Sequence, residues 1–454
     1  MILAHWLLFI LSAICYALPL LLSSYFWPLV FIFAAPLLYI AVYNNLSFKR
    51  GFLWGIITFT LHLAGVITGI DNFAKGSILA RLAPALVLIS TAAFYAACWF
   101  LLNNTIINFF SLRSVGQRLF LWVSTYTLFI LFMEHYCFIL FGRCEGHFFF
   151  NPVLVLAEEP RLLALLPYLG KTILILLLIS FSGSLVYLYI RKSLYAFFWV
   201  IAFAAPWLIS LVIPLAPMIK PAWLKEIAYL PSKLSSQVDL TKQAKLAQEL
   251  FFHVAVLQPD AKLIIMPESS IFCDHLSKDP DLCAMWSEED LLRPLHIVLG
   301  SFRWDGPSYR NTLHWFFNGK LKEIFDKRHA MLLTEALPEI YNFKLFEKLF
   351  FSTYPGITPS TNERPMLHIL EGVSFIPYIC SELFFNDKPD DRYEKGSTIL
   401  AITNDIWCKN SNIPKLMCLS ARFKAVQWQR NILYISYAYA KYFDTSGNEI
   451  NLSG

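Results

Sequence analysis

Long apolar runs dominate the first half of the chain, and shorter apolar runs that end at polar side chains dominate the second half. Seven of the long runs approach or reach the roughly 20 residues that a helix needs to cross a bilayer. They lie near 5–22, 25–43, 51–70, 84–103, 119–141, 171–190 and 194–216. The pattern predicts a polytopic helical membrane module over 1–216 and a globular domain over 217–454.

Composition and charge agree with this division. The 454 residues are 57% hydrophobic and only 15% charged, whereas soluble domains average about 25% charged residues. This excludes a single water-soluble globule. Residues 1–216 carry a balance of +6, and residues 217–454 carry −1. The net charge of +5 therefore belongs to the apolar half and gives no indication of nucleic-acid binding.

The charges in the loops predict the orientation of the membrane module. Three short loops carry only basic residues, which is typical of the cytoplasmic side. These residues are Lys49, Arg50, Arg113, Arg118, Arg191 and Lys192. The N-terminus is then inside, and after seven crossings the globular domain lies outside. In a Gram-negative bacterium this is the periplasmic face of the inner membrane.

Glu134 and His135 lie near the outer end of the fifth apolar run. Ionisable residues inside a membrane are costly and are functional candidates by default. The alternative is that the two side chains lie at the headgroup interface or cap a helix. The pattern leaves both interpretations open.

The globular half alternates predicted strands with predicted helices, which favours an α/β layered sheet. The strands are expected over 261–269, 295–302, 312–317, 372–380 and 397–405. Helices are expected over 244–258 and 415–436. Several polar side chains stand where the strands end, and such strand ends are where α/β sheets present catalytic groups.

The cysteines of this half suggest pairs and one isolated thiol. In an oxidising compartment Cys273 could pair with Cys283, and Cys408 with Cys418. Each pair could equally remain reduced. Cys380 stands alone at the end of a predicted strand.

Three segments together carry the parts of a thiol-based acyl transfer. Glu268 follows a buried strand in IIMPESS, Lys327 and Glu335 are eight residues apart in IFDKRHAMLLTEALP, and Cys380 precedes Glu382 in IPYICSELFF. A thiolate nucleophile needs a base, and the oxyanion that it creates needs a positive donor. Taken singly, Glu268 could cap a helix, Lys327 could be a solvated charge, and Cys380 could be a buried filler.

In this order and spacing, the motifs MPE, YRNTL, FDKRHAMLLTEALP, ICSE, TNDIW and ARFKAVQWQR resemble the carbon–nitrogen hydrolase (nitrilase) superfamily. They resemble in particular its membrane-embedded branch, the apolipoprotein N-acyltransferases. The resemblance covers the whole layout of the chain. It implies a membrane module of about seven helices followed by a nitrilase-like α-β-β-α sandwich.

The resemblance also implies a role for each site residue. Glu268 would be the general base, Cys380 the nucleophile and Lys327 the stabiliser of the oxyanion. Glu335 would orient the lysine or assist proton transfer, and Glu382 would support the site. No metal, nucleotide or other cofactor is implied.

The implied partners are lipids and lipid-anchored proteins. A membrane phospholipid would donate an acyl chain to the cysteine as a thioester. The α-amine of a diacylglyceryl-cysteine lipoprotein would then accept the chain. A monomer is the default expectation for the oligomeric state.

The chain departs from the family pattern at some positions, and alternatives follow from this. Ser381 replaces the usual aromatic residue after the nucleophile, Thr334 replaces a glycine, and the chain stops at Gly454 before the family's last membrane helix. One alternative is a divergent relative with another acceptor, or an amidase that uses water. Another is a degenerate copy that acts as a membrane-bound binding or structural protein.

Overall fold

The computed structural model describes most of the chain outside several loops and segments. The described residues are 2–21, 27–44, 46–73, 78–136, 151–231, 258–270, 294–305, 308–318, 320–330, 335, 357–385, 387–394, 396–408 and 411–452. They form two compact units. The first contains the described residues up to Ala216 together with Cys408–Gln427, and the second contains the rest.

The first unit is built of α-helices. Up to Ala216 they are α1 (Ile2–Leu21), α2 (Ala35–Tyr43), α3 (Phe48–Phe73), α4 (Ile78–Phe109), α5 (Val115–Tyr136), α6 (Leu166–Arg191) and α7 (Leu194–Val212). Among the described residues, four helices are long and apolar enough to cross a membrane. These spans are Ala85–Phe109, Val115–Glu134, Leu166–Arg191 and Leu194–Val212.

The predicted number of seven spans is therefore not confirmed. The predicted span near 25–43 is divided between a short 3-10 helix, Trp27–Phe31, and α2. Pro36 occupies the first turn of α2, where proline favours a helix start rather than a continuous longer helix. The predicted span near 5–22 is a shorter apolar helix of the unit, Trp6–Leu21.

Small residues allow α3 and α4 to approach closely. A Cβ atom on Gly51 would lie 2.8 Å from the Cα of Ala97, and one on Gly55 would lie 2.5 Å from the Cα of Ala93. Helices in membranes associate through such small side chains because lipid supplies no hydrophobic drive between them. This pair of glycines explains why the two helices pack backbone to backbone.

The side chain of Glu134, one of the two ionisable residues in the fifth apolar run, is buried in this unit. It is only 1% exposed, and it forms an ion pair with Lys171 of α6. It also accepts a hydrogen bond from Nδ2 of Asn151 at 2.9 Å. Glu134 is thus a buried and paired residue of the first unit, while the side chain of His135 lies outside the described residues.

The second unit contains two β-sheets. The strands are β1 (Ile227–Tyr229), β2 (Leu263–Ile265), β3 (His296–Asp305), β4 (Ser308–Phe317), β5 (Lys320–Asp326), β6 (Leu367–Leu370), β7 (Val373–Ile379), β8 (Thr398–Ile402), β9 (Ile432–Ile435), β10 (Ala440–Phe443) and β11 (Glu449–Asn451). One sheet has the order β1-β2-β3-β4-β5, and the other has the order β11-β10-β9-β8-β7-β6.

Parallel strands lie where the polar strand ends were predicted. In the first sheet β2 is parallel to β1 and β3, and in the second sheet β8 is parallel to β7 and β9. The five predicted strands correspond to β2, β3, β4, β7 and β8. The expected α/β layered domain is confirmed. The predicted helix over 244–258 lies outside the described residues.

The predicted helix over 415–436 was too long at its C-terminal end. Helix α8 (Ile413–Trp428) ends before Gln429, whose φ of 53° is left-handed. The four residues of β9, ILYI, are all buried and pair in parallel with β8. Branched and aromatic side chains favour such a buried strand, so pairing within the sheet overrides the helical spacing.

Only one of the two suggested cysteine pairs lies within the described residues. Cys408 and Cys418 are both buried thiols and form no disulfide. Cys273 and Cys283 lie outside the described residues.

Candidate active site

The ends of three strands bring the predicted chemistry together. Cys380 directly follows β7, and Lys327 directly follows β5. Glu268 lies three residues beyond β2, after Met266 and Pro267. Strands β2 and β5, which lead to Glu268 and Lys327, belong to one sheet, and β7 belongs to the other.

The backbone at Cys380 is unusual for a residue with a side chain. Its φ is 52°, in the left-handed region, and it begins the 3-10 helix Cys380–Phe384. Such conformations cost roughly 1–3 kcal/mol and cluster at functional sites. The sharp change from strand to helix presents the thiol at the end of β7.

Gly300 of β3 permits the close approach of the segment that carries Glu268. A Cβ atom at Gly300 would lie 2.4 Å from the Cα of Glu268 and 2.8 Å from the backbone nitrogen of Ser269. The carbonyl of Gly300 accepts a hydrogen bond from the backbone N–H of Ser270 at 3.1 Å. Any larger residue at this position would displace the segment.

Glu268 is the centre of the site. Its side chain is 4% exposed and hydrogen-bonds with the thiol of Cys380. Asn311 donates to its Oε1 from Nδ2 at 2.5 Å, and the backbone N–H of Asn404 donates to its Oε2 at 2.7 Å. The Nζ of Lys327 lies 3.7 Å from Oε1. Both sheets thus contribute donors to one buried carboxylate.

Glu335 faces the other side of the lysine. The fully buried ammonium of Lys327 donates to the two carboxylate oxygens of Glu335 at 2.9 and 2.8 Å. Nδ2 of Asn311 also lies 3.2 Å from Oε1 of Glu335. Asn311 and Lys327 therefore both bridge the two carboxylates.

The electrostatics keep the thiol neutral and the amine charged at rest. Burial, and then the charge of Glu268, raise the pKa of the Cys380 thiol well above its usual value. Burial also raises the pKa of Glu268, although the nearby charge of Lys327 opposes this. Burial acts to lower the pKa of Lys327, but the negative charges of Glu335 and Glu268 oppose this and the pKa is raised.

Glu382 lies behind the site and not at the thiol. Its fully buried carboxylate accepts hydrogen bonds from the backbone N–H of Ile379 at 2.6 Å and from that of Arg328 at 2.7 Å. The guanidinium of Arg364 pairs with the same carboxylate at 2.9 Å. All five predicted side chains therefore occupy one region of the second unit, but Glu382 acts on backbone groups.

Sequence reasoning missed two residues of this region. Asn311 stands in the YRNTL motif, which is the signal that could have identified it. Arg364 stands in TNERPML, where no motif distinguishes it from a surface arginine. Its importance depends on contacts with residues far away in the chain.

The arrangement fits nucleophilic acyl transfer. A carboxylate within hydrogen-bonding reach of a thiol can take its proton during attack. A fixed ammonium beside them can stabilise an oxyanion in a site that excludes water. Among the described residues, no group of three or more His, Cys, Asp and Glu side chains could hold a metal ion.

The architecture is that of a unit with apolar helices of membrane-spanning length, followed by an α/β domain with two sheets. Comparisons with known sequences confirm the resemblance drawn from the motifs. The apolipoprotein N-acyltransferase of Wigglesworthia glossinidia brevipalpis is 26% identical over 90% of this chain and 82% of its own. That of Vibrio cholerae is 23% identical over 90% of this chain and 81% of its own.

The chain was also compared with family models and with solved structures. No family model matches the chain. Similar solved structures include Nit3 of Saccharomyces cerevisiae, a member of the nitrilase superfamily. It has 17% sequence identity and a TM-score of 0.33, and the match covers 48% of this chain and 82% of the Nit3 chain. A carbon–nitrogen hydrolase from Helicobacter pylori has 10% identity, a TM-score of 0.34 and coverage of 50% and 85%.

Proposed function

We propose that this protein is an N-acyltransferase of lipoprotein maturation. It moves an acyl chain from a membrane phospholipid, through a thioester on Cys380, to the N-terminal α-amine of a diacylglyceryl-cysteine lipoprotein. The observation that carries the proposal is the buried contact of the Cys380 thiol with Glu268, beside the ammonium of Lys327. The names of the sequence relatives and the membrane helices support the choice of lipid substrates.

The first half-reaction uses the phospholipid. Glu268 takes the thiol proton as the sulfur of Cys380 attacks the ester carbonyl, and a C–S bond forms. Lys327 stabilises the tetrahedral oxyanion. The ester C–O bond then breaks, Glu268 returns the proton to the leaving oxygen, and a lysophospholipid departs from the thioester.

The second half-reaction uses the lipoprotein. Its α-amine attacks the thioester carbonyl, and a C–N bond forms while Glu268 takes a proton from the nitrogen. The C–S bond breaks, and the proton returns to the sulfur of Cys380. The product is a triacylated lipoprotein, and neither half-reaction needs an oxidant or a cofactor.

The proposal includes a location. The basic loops favour a cytoplasmic N-terminus. With the seven crossings predicted from the sequence, the catalytic domain would lie on the periplasmic side of the bacterial inner membrane. Both substrates are lipid-anchored, so a catalytic domain held at the bilayer by its own helices meets them there. The domain boundary in this proposal lies near residue 216.

The first experiment isolates the donor half-reaction. Purified protein in detergent is incubated with phospholipid and no acceptor, and peptide mass spectrometry measures fatty-acyl mass on Cys380. The expected adduct is removed by hydroxylamine, as a thioester is. Cys408 and Cys418, two other buried thiols, serve as internal controls that stay unmodified.

A second experiment with an acceptor distinguishes acyl transfer from hydrolysis. Adding a diacylglyceryl-cysteine peptide should remove the adduct and yield an acylated peptide amine. Rapid loss of the adduct to water without acceptor would instead identify a hydrolase. An unmodified Cys380 in well-folded protein would contradict the proposal and favour a non-catalytic relative.

A further inference from the structure

The carboxylate of Glu382 joins the two backbone segments that carry the nucleophile and the lysine. One oxygen accepts the N–H of Ile379, the residue before Cys380, and the other accepts the N–H of Arg328, the residue after Lys327. These segments are more than 50 residues apart in the chain. The position of this one carboxylate therefore sets the spacing between the thiol and the ammonium.

Arg364 holds that carboxylate in place. Its Nη1 donates to Oε2 of Glu382 at 2.9 Å, and its Nη2 donates to Oε1 at 3.2 Å. This is the two-point geometry in which an arginine fixes the plane of a carboxylate as well as its charge. The arginine side chain is 2% exposed and that of Glu382 is fully buried, so water does not screen the pair.

Three further contacts fix the guanidinium. Nη1 also donates to the carbonyl of Pro377 at 2.8 Å, and Nη2 donates to Oδ2 of Asp387 at 2.7 Å. Its central carbon lies 3.7 Å from the ring centre of Tyr378. Pro377 and Tyr378 belong to β7, the strand that leads to Cys380, so the arginine is bound to the same strand that it helps to align.

We infer that Arg364 is a positioning residue, which acts through Glu382 to set the distance between Cys380 and Lys327. The inference rests on the proposed function for its reaction, but the geometry concerns the thiol whatever its substrate. Arg364 touches neither the thiol nor the ammonium. Its removal should therefore slow the chemical step and leave phospholipid binding unchanged.

The test uses the full chain in detergent and four variants. Arg364→Met removes the charge and the donors, and Arg364→Lys keeps the charge without the two-point geometry. Arg364→Met/Glu382→Gln removes both charges together. Arg392→Met is the matched control, because this arginine of the same domain is 62% exposed and pairs with surface carboxylates.

Two rates at Cys380 are measured on folded protein. One is thioester formation from phospholipid, and the other is alkylation by iodoacetamide, followed on the Cys380 peptide by mass spectrometry. Arg364→Met should slow thioester formation on the order of 100-fold, as a misplaced reacting group does, with KM for phospholipid unchanged. Alkylation should slow about tenfold, Arg364→Lys should be intermediate, and Arg392→Met should match the unaltered protein.

The double variant separates positioning from stability. It leaves no unpaired buried charge, so its melting temperature should recover toward that of the unaltered protein while both rates stay low. Recovery of the rates together with the melting temperature would overturn the inference, as would normal rates in folded Arg364→Met. If the unaltered protein forms no thioester but Arg364→Met still slows alkylation, the proposed function fails and the positioning role stands.

Discussion

The side-chain amide of Asn311 lies 2.5 Å from the carboxylate of Glu268 and 3.2 Å from that of Glu335. One buried donor thus bridges the carboxylate beside the thiol and the carboxylate beside the lysine. Without it, the two neighbouring carboxylates would lose a donor that they share. The amide therefore helps to fix the orientation of the Glu268 carboxylate.

Replacing Asn311 by alanine should slow thioester formation by about 10- to 100-fold, because a lost hydrogen bond to a charged group costs about 1.5–3 kcal/mol. Acylation of Cys380 in single turnover measures the effect. Asn362→Ala, at an exposed position of the same domain, should leave the rate unchanged. A normal rate in Asn311→Ala would show that the bridge does not matter for the chemistry.

The pH dependence should report the protonation of Glu268. Burial raises the pKa of this carboxyl, against the opposing charge of Lys327. A protonated Glu268 cannot accept the thiol proton, so the rate should fall as pH drops through a pKa above the ordinary value of about 4.3. Initial rates of thioester formation between acid and neutral pH measure this limb, which should disappear with the slow variant Glu268→Gln. An acid limb at or below the ordinary value would contradict the assignment.

Gly300→Ala should damage the site through the backbone. The new Cβ would lie 2.4 Å from the Cα of Glu268, so the segment must shift, and overpacking of this kind costs about 1–3 kcal/mol. We expect a lower melting temperature and slower acylation. Gly396→Ala is the matched control, since a Cβ there meets no atom within 4 Å. Equal behaviour of the two variants would refute the close-approach argument.

The ion pair of Glu134 and Lys171 should be required for the stability of the first unit. Lys171→Met leaves a buried carboxylate without its cation, which typically costs about 3–5 kcal/mol. The double variant Lys171→Met/Glu134→Gln should recover most of that loss, because neither partner of the pair is then charged. Thermal unfolding in detergent measures both, with Lys192→Met at the exposed end of α6 as the control. A stable Lys171→Met protein would argue against the pair as a structural element.

The strand predictions succeeded where apolar runs were short and ended at polar residues. Strands β2, β7 and β8 are buried along their whole or nearly whole length, so hydrophobicity alone distinguishes them from loops. The same signal failed after Trp428, where helical spacing continued into ILYI. There the parallel partner β8 decides the conformation, and a partner strand is not visible in the local pattern.

The number of membrane spans shows a second limit. The length of an apolar run predicts that the segment avoids water, but it does not show where helices begin and end within that segment. Pro36 and the 3-10 helix Trp27–Phe31 break one predicted span into two pieces. Composition was sufficient for the class of the first unit, and the count of seven spans stays a prediction.

By itself, the sequence determined the two-part organisation and the residue types of the candidate chemistry, because hydropathy and short motifs are local properties. It did not determine that Asn311 bridges Glu268 and Glu335, or that Arg364 pairs with Glu382. These contacts join residues 18 to 43 positions apart. Only the pairing of strands and the burial of charges bring such residues together, and in a site that excludes water each buried charge needs a partner. The tertiary structure alone decides which partner it finds.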